Sequence, residues 1–279
     1  MRLRLYHHSD GARVAYREVG TGPPLVLLHA GGLSWREWEP VVEPLCERFR
    51  VVMPDLPLHG DSEDRPRHPY SPDWLVDVLS GFCAETAGPR PLVGGHGAGA
   101  ELVLRAVGSG RLAPARLVLM PNRLHRPSAS PGRMALWRAA CRAAALPGLD
   151  RPLARAATWT FRPAYADRLT LARDPAARDL LRHAFSEVGG NPTRARGWAR
   201  AAARWPREPQ RHLLDLFPEL TMPVLLLWAD SDPFHPLDTA REALDLLPDA
   251  QLRVLTDTGH LLTYDDPVGV ARELIAFCG

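Results

Sequence analysis

Two side chains able to transfer protons follow two apolar, strand-like runs late in the sequence. Asp232 comes soon after the run that ends at Trp228, and His260 follows a second run over 251–255. The carboxyl ends of parallel strands meet at one edge of a sheet, where the ligand sites of open α/β sheets lie. A carboxylate that holds an imidazole fixes its tautomer, so we expect Asp232 and His260 to form a general base. Asp230 is the competing carboxylate.

A glycine-lined turn lies earlier in the chain. Residues 92–100 read Leu-Val-Gly-Gly-His-Gly-Ala-Gly-Ala, the pattern of a strand that ends in a sharp turn and restarts as a helix. Enzymes place a nucleophile at the tip of such a turn, between small residues, because the helix packs too close to the strand for larger side chains. A helix that begins at Ala98 puts Gly97, which has no side chain, at the tip. Shifting the frame by one residue would put His96 there, but fits the helix less well.

The remaining pattern is one of strands alternating with helices. Strand-like runs lie at 12–18, 25–29, 50–53, 92–93, 116–120, 224–228 and 251–255. Helix-like segments begin near Trp35, Ser71, Ala98 and Pro267. Such alternation predicts an α/β fold with a mostly parallel central sheet flanked by helices.

The alternation stops between about Asn122 and Pro223, where the pattern is helical. The simplest account is a helical lid (cap) over 122–215, inserted into a core formed by 1–121 and 216–279. Four tryptophans of the insertion either line an apolar pocket or pack the lid helices together. They are Trp137, Trp159, Trp198 and Trp205.

Charge is unevenly distributed along the 279 residues. The net charge is +2, and every basic residue is an arginine. Residues 123–211 contain 18 arginines and 6 acidic residues, a net charge of +12. This segment is either a solvated helical surface or a basic surface that attracts an anionic substrate or an acidic carrier protein. The arginines lie in an alanine-rich helical pattern without the spacing of a nucleic-acid reader, so no nucleic-acid partner is expected.

Several classes of protein are not expected from the sequence. It contains neither a secretory signal nor an apolar run long enough to cross a bilayer, so we expect a cytoplasmic protein without a membrane partner. The four cysteines lack metal-ligand spacing, and no metal site is expected. The glycines at 94–99 match neither the P-loop nor the dinucleotide-binding pattern, and no cofactor is expected.

Four short motifs, in this order, resemble those of the α/β-hydrolase family. The motifs are His29-Ala30-Gly31-Gly32, the stretch Asp55 to Ser62 (Asp-Leu-Pro-Leu-His-Gly-Asp-Ser), Ala229-x-x-Asp232 and Thr258-Gly259-His260. The order of turn, acid and histidine is also that of the family. The resemblance covers nearly the whole chain outside the predicted lid. It implies the α/β-hydrolase fold, a Gly97-His260-Asp232 arrangement, and an oxyanion hole formed by the backbone N–H groups of Gly31 and Ala98.

The departures from the family pattern concern the same site. Gly97 stands where family members carry Ser, Cys or Asp, and Ala30 and Leu58 stand where Gly is common. A covalent acyl intermediate needs a nucleophile, so an ordinary serine-esterase mechanism is excluded for this sequence.

Four further residues are expected to contact a small-molecule substrate. His96 adjoins the turn, and Trp35 follows the loop that resembles the oxyanion loop. Arg123 and His125 follow a core strand near the expected pocket mouth, where Arg123 can hold a carboxylate or phosphate.

We therefore expect an enzyme that uses His260 and Asp232 as a general base on a carbonyl-bearing small molecule, since oxyanion donors stabilise the enolate or tetrahedral species that forms. The reaction would be that of a lyase, an isomerase, a cyclase or a hydrolase without a covalent intermediate. One alternative is a serine hydrolase whose serine has been changed to Gly97. Another is a non-catalytic protein that binds a ligand or a biosynthetic partner.

Overall fold

A twisted sheet of eight strands forms the centre of the molecule. The strands are β1 (Arg2–His7), β2 (Arg13–Val19), β3 (Pro24–Leu28), β4 (Arg50–Pro54), β5 (Leu92–Gly95), β6 (Arg116–Leu119), β7 (Val224–Ala229) and β8 (Ala250–Leu255). They lie in the order β1-β2-β4-β3-β5-β6-β7-β8. The pairs β1–β2 and β2–β4 are antiparallel, and all other neighbours are parallel. The computed structural model describes residues 1–65, 67–126, 131–149, 152, 170–171, 174–204 and 212–279.

Helices connect the strands. They are α1 (Val42–Cys46), α2 (Pro72–Ala87), α3 (Ala98–Gly108), α4 (Pro131–Ala144), α5 (Pro175–Gly190), α6 (Pro192–Arg204), α7 (His212–Leu216), α8 (Leu237–Leu244), α9 (Leu262–Asp265) and α10 (Pro267–Cys278). Two 3₁₀ helices span Trp35–Val41 and Phe217–Glu219. No helix in the described ranges is both long and apolar enough to cross a membrane.

The central strands are apolar on both faces because helices cover both faces of the sheet. One apolar cluster packs α2, α3 and α8 against the sheet. A second cluster packs α1, α10 and the 3₁₀ helix Trp35–Val41 against the opposite face. The predicted α/β fold with a mostly parallel sheet is confirmed, and the loops after β3, β5, β7 and β8 meet at the carboxyl edge, where a ligand site is expected.

The sequence pattern located seven of the eight strands and missed β1. The side chains of Leu3 and Leu5 on β1 are about half exposed, and Tyr6 is the one buried residue of the strand. An edge strand with its apolar side chains facing solvent has no buried stripe to reveal it. Helix α8 was also not predicted.

The connection between β6 and β7 is helical where it is described. Helix α4 packs against α6, and α5 packs against α6 as well. Trp137 lies on α4 and Trp198 on α6, whereas Trp159 and Trp205 lie outside the described residues. The boundaries 122–215 for an inserted lid stay a prediction.

Candidate active site

Asp232 lies in the tight turn that follows β7, and both of its carboxylate oxygens accept hydrogen bonds. Oδ1 accepts from the backbone N–H groups of Phe234, at 2.7 Å, and His235, at 3.1 Å. Oδ2 accepts from the imidazole Nδ1 of His260, at 2.9 Å, and from Nδ1 of His235, at 3.2 Å. The turn thus fixes one buried carboxylate between two imidazoles, with Nδ1 of each as the donor.

These contacts set the charges of the site. Burial alone would raise the pKa of Asp232, but the hydrogen bonds from His235 and His260 outweigh it, and the pKa lies well below its usual range. Burial lowers the pKa of His260 to about 4, with a further contribution from nearby His96 and against the opposing effect of Asp232. His260 is therefore neutral at pH 7. Because its Nδ1 donates to Asp232, its Nε2 carries the lone pair that can accept a proton.

Gly97 forms the tip of the turn between β5 and α3, with φ 50° and ψ −118°. Its N–H donates to the carbonyl of Pro121 at 3.0 Å. The flanking glycines are required by close backbone approach, since a Cβ on Gly99 would lie 2.5 Å from the carbonyl oxygen of Leu28. At the tip itself, a Cβ on Gly97 would lie 3.0 Å from the Cβ of Ala30.

The loop after β3 faces this turn and is held by hydrogen bonds on both sides of Gly31. The N–H of Ala30 donates to Oε2 of Glu37 at 2.7 Å, and the N–H of Gly32 donates to Nε2 of His59 at 3.0 Å. Within the described part of the chain, the N–H groups of Gly31 and Ala98 donate to no other protein group. The nitrogen of Gly31 lies 3.9 Å from where a Cβ on Gly97 would be. These two amides can stabilise a developing negative charge beside the tip.

A second acid–histidine pair is buried behind the first. Nδ1 of His96 forms a short hydrogen bond with Oε1 of Glu37, and both side chains are almost fully buried. Burial alone would raise the pKa of Glu37, but the nearby His96 outweighs it and lowers the pKa. The rings of His96 and His260 lie 4.5 Å apart between centroids. His96 therefore contacts the imidazole of His260, and its Nε2 has no partner among the described residues.

A cavity of about 630 Å³ opens above these groups. Its floor includes Gly31, Gly97, Ala98, His235 and His260, and its walls are mostly apolar. The wall residues are Ala30, Leu56, Pro57, Leu58, His59, Leu75, Glu101, Leu102, Arg123, Trp137, Trp198, Ala201 and Ala202. Helices α4 and α6 therefore contribute part of the wall, and Trp137 and Trp198 line the cavity, which was one of the two alternatives for these tryptophans.

The residues expected to bind substrate occupy different places. Arg123 lines the cavity, but Nε and Nη2 donate to the two oxygens of Glu101 at 2.7 and 3.0 Å. The ring of His125 is hydrogen-bonded to Glu242 at 2.9 Å. Trp35 packs under the guanidinium of Arg17, which lies 4.3 Å from the ring centroid. Neither His125 nor Trp35, nor the buried His96, is part of the cavity wall.

Sequence reasoning missed two groups of this site. His235 follows Asp232 by three residues inside Asp-Pro-Phe-His-Pro, a stretch that reads as a turn. Glu37 lies on a short 3₁₀ helix, and nothing in its neighbourhood signals that it is buried. The ligand atoms of Asp232, His235 and His260 lie within 4.8 Å of one another, and these residues form the one group of this kind that the described ranges contain.

Comparisons with known proteins agree with the fold. The profile of the alpha/beta hydrolase family matches residues 25–273. The chain is 30% identical over 230 residues to a pimeloyl-[acyl-carrier protein] methyl ester esterase of Methylococcus capsulatus, covering 78% of this chain and 80% of that protein. It is 27% identical over 241 residues to the magnesium-chelatase 30 kDa subunit of Rhodobacter capsulatus, covering 86% of this chain and 81% of that protein.

A solved structure supports the same architecture. A thermophilic esterase from Thermogutta terrifontis superposes with a TM-score of 0.79 at 22% identity, covering 100% of this chain and 98% of that one. At that identity the likeness shows the fold. The eight-stranded sheet and the family match over most of the sequence lead to one conclusion: this chain belongs to the alpha/beta hydrolase family.

Proposed function

We propose that the chain is an enzyme in which His260, held by Asp232, acts as a general base, and in which Gly97 stands at the position of the family's nucleophile. One observation carries the proposal. The Nδ1–Oδ2 hydrogen bond of 2.9 Å leaves the Nε2 lone pair of His260 on the floor of a cavity that Gly97 also lines. A base beside a turn without a nucleophilic side chain must act on water or directly on the substrate.

The electrostatics of the site set the protonation state of this base. A pKa of about 4 keeps His260 unprotonated at neutral pH, and Asp232 stabilises the imidazolium that forms when it accepts a proton. A positioned general base contributes a rate factor of roughly 10² to 10⁴. Each donor of an oxyanion hole contributes roughly 10² to 10³, and the N–H groups of Gly31 and Ala98 are the donors proposed here.

Water-mediated hydrolysis of an ester is the reaction that the relatives favour. His260 takes a proton from water, and the water oxygen bonds to the carbonyl carbon. The carbonyl oxygen becomes an oxyanion at Gly31 and Ala98. When the oxyanion collapses, the bond to the alkoxy group breaks, and the imidazolium returns the proton to the leaving alcohol. Abstraction of a C–H proton next to a carbonyl uses the same groups, with the enolate oxygen in place of the tetrahedral oxyanion.

The cavity favours a neutral, largely apolar carbonyl compound. Its walls carry leucines and two tryptophans, and the charge of Arg123 is already balanced by Glu101. An anionic or carrier-attached part of a substrate would lie outside the cavity, where the net positive charge of the sequence segment 123–211 would attract it.

Ala30 supports a site that works with glycine at position 97. A serine Cβ there would lie 3.0 Å from the Cβ of Ala30, closer than carbon atoms pack without one of them moving. A serine at this position therefore needs the Ala30 methyl group to yield by a few tenths of an ångström, whereas Gly97 fits without any movement.

The test compares the protein with His260→Ala and with the matched control His183→Ala, whose imidazole is half exposed on α5. Each is incubated with a metabolite extract and with p-nitrophenyl esters, and the products are identified by mass spectrometry. We expect the protein and the control to convert a carbonyl compound at equal rates. His260→Ala should lower the rate about 10²-fold or more. Equal conversion by His260→Ala contradicts the proposal, and no conversion by any of the three favours a binding protein.

A further inference from the structure

The loops after β7 and β8 bring three metal-binding atoms together. One carboxylate oxygen of Asp232 and one ring nitrogen each of His235 and His260 lie within 4.8 Å of one another. The carboxylate is buried, and both imidazoles border the cavity. The expected general base uses His260 and Asp232, but it has no use for His235, which shares the same carboxylate oxygen.

The spacing of these atoms suits a small transition-metal ion. Oδ2 lies 2.9 Å from Nδ1 of His260 and 3.2 Å from Nδ1 of His235. With bonds of about 2.0–2.1 Å to nitrogen and oxygen, these separations correspond to angles of roughly 90° and 100° at the ion. Such angles fall within the range of four- to six-coordinate sites, and both rings must turn so that their Nδ1 lone pairs meet at the ion instead of at Oδ2.

The donor types select the class of ion. Two imidazole nitrogens and one carboxylate oxygen suit Zn²⁺ and the neighbouring first-row divalent ions. Ca²⁺ and Mg²⁺ take oxygen ligands, which this cluster does not supply in number.

The surroundings hold two of the ligands in place without using their donor atoms. Oδ1 of Asp232 is fixed by the N–H groups of Phe234 and His235, which leaves Oδ2 to the imidazoles. The carbonyl of His235 accepts from Nε1 of Trp228 at 2.9 Å. Hydrogen bonds of this kind orient the first ligands of a metal site and reduce the cost of assembling it.

We propose that Asp232, His235 and His260 bind a divalent zinc-type ion, which replaces the two hydrogen bonds between the imidazoles and the carboxylate. Each imidazole gives its Nδ1 lone pair to the ion, and its proton moves to Nε2 through solvent. The imidazoles stay neutral, and no group is oxidised or reduced. Nε2 of His260 then carries a hydrogen and cannot accept a proton, so the bound ion switches the base off. The binding itself does not depend on the proposed function.

The test measures binding, not catalysis. Protein freed of metal by a chelator and then desalted is titrated with Zn²⁺ by calorimetry and with Co²⁺ by visible absorption. We expect one ion per chain, with the cobalt bands of a nitrogen- and oxygen-ligated site. Long-range ¹H–¹⁵N spectra should show two imidazoles that change from the Nδ1–H to the Nε2–H tautomer when Zn²⁺ is added.

His235→Ala and His235→Gln are the matched variants, and His183→Ala is the surface control. We expect both substitutions at His235 to weaken Zn²⁺ binding at least about tenfold, while His183→Ala leaves it unchanged. Circular dichroism identifies a variant that does not fold. If both His235 variants fail to fold, the tautomer change in the unsubstituted protein decides whether His235 and His260 bind the ion. The proposal is overturned if no saturable binding is found, if binding survives both His235 variants, or if the tautomers of His235 and His260 do not change.

Discussion

The two halves of the site differ in where their chemistry resides. At the turn between β5 and α3, the main chain supplies the polar groups: Gly97 has no side chain, and the nitrogen of Gly31 lies 3.9 Å from its Cβ position. The loops after β7 and β8 supply one carboxylate and two imidazoles, one imidazole more than a single general base requires. Two imidazoles there share a single oxygen of Asp232. The comparison teaches that main-chain amides and titratable side chains come from separate loops of this fold, so the two parts of the proposed mechanism can be tested separately.

The strongest test of the turn half is Gly99→Ala. Its Cβ would lie 2.5 Å from the carbonyl oxygen of Leu28 and 2.7 Å from that of His29, so main-chain atoms must move. We expect a loss of about 3 kcal/mol or more in the free energy of unfolding, or no folded protein at all. Urea unfolding followed by circular dichroism measures it.

Gly132→Ala on α4 is the control, since none of the described residues brings an atom within 4 Å of its Cβ position and its φ is ordinary. We expect it to be neutral or slightly stabilising. Equal stability of the two variants would contradict the close approach of α3 to β3.

The next test adds a side chain at the tip. We expect Gly97→Ser to give weak activity on p-nitrophenyl acetate, because its Cβ lies 3.0 Å from that of Ala30 and displaces the loop that carries Gly31. Gly97→Ser with Ala30→Gly should be about tenfold more active, since relief of overpacking is worth ~1–3 kcal/mol. Initial rates and labelling by a serine-directed phosphonate compare the single variant with the double variant. Activity that is the same with and without Ala30→Gly would show that the methyl group does not matter.

The pH dependence of activity tests the other half of the site, the loops after β7 and β8. His260 must be unprotonated to act, and its pKa of about 4 lies below the usual value, so activity should persist from pH 8 to about pH 5. Below the pKa it should fall about tenfold per pH unit. A rate profile between pH 3 and 8, recorded with a chelator, measures this. Half-maximal activity near pH 6.5 would mean that His260 is not held as described.

Acid also affects the fold in this range, and the sign follows from the same pKa. An unfolded chain binds a proton at His260 near the ordinary value of 6.5, whereas the folded chain does so at about 4. Between these values the unfolded state binds more protons, so stability falls as the pH is lowered. Circular dichroism at each pH is therefore the control for the rate profile.

The smallest effect is expected where the helical wall meets the sheet side of the cavity. Nε1 of Trp198 donates to the carbonyl of Leu58 at 3.2 Å, and its ring packs edge-on against His59. Trp198→Phe removes the hydrogen bond and keeps most of the ring, so we expect a loss of about 1 kcal/mol in stability. Trp198→Ala should cost about 2 kcal/mol, since the ring is only partly buried, and should raise KM as well. Thermal unfolding measures the stability of each variant, and steady-state kinetics measure its KM. Equal effects of Trp198→Phe and Trp198→Ala would show that the ring does not pack as observed.

Much of the sheet was predictable because buried parallel strands are continuous apolar runs. Residues 25–29 and 224–228 were recognised in this way, and the turn at 92–100 was recognised by its glycines. Strand β1 was not recognised, because its leucines face solvent and the pattern carries no buried stripe.

The polar contacts of the site were predictable only where a motif marked them. Asp232 and His260 each follow a strand, and the structure brings them within hydrogen-bond distance. The pairing of Arg123 with Glu101 joins residues 22 positions apart, and that of Glu37 with His96 spans 59. Nothing in the local sequence selects these partners, because the fold alone brings them together.

The amides of Gly31 and Ala98 bear on how such a site is inherited. They belong to the main chain, so every residue type except proline supplies them. Point mutations at those positions therefore rarely delete the charge-stabilising half, while a single codon change can remove or install the attacking group. Two glycine codons each differ from a serine codon at a single base. On the proposed function, one base change at position 97 installs a serine, and Ala30 must then yield before that serine works well.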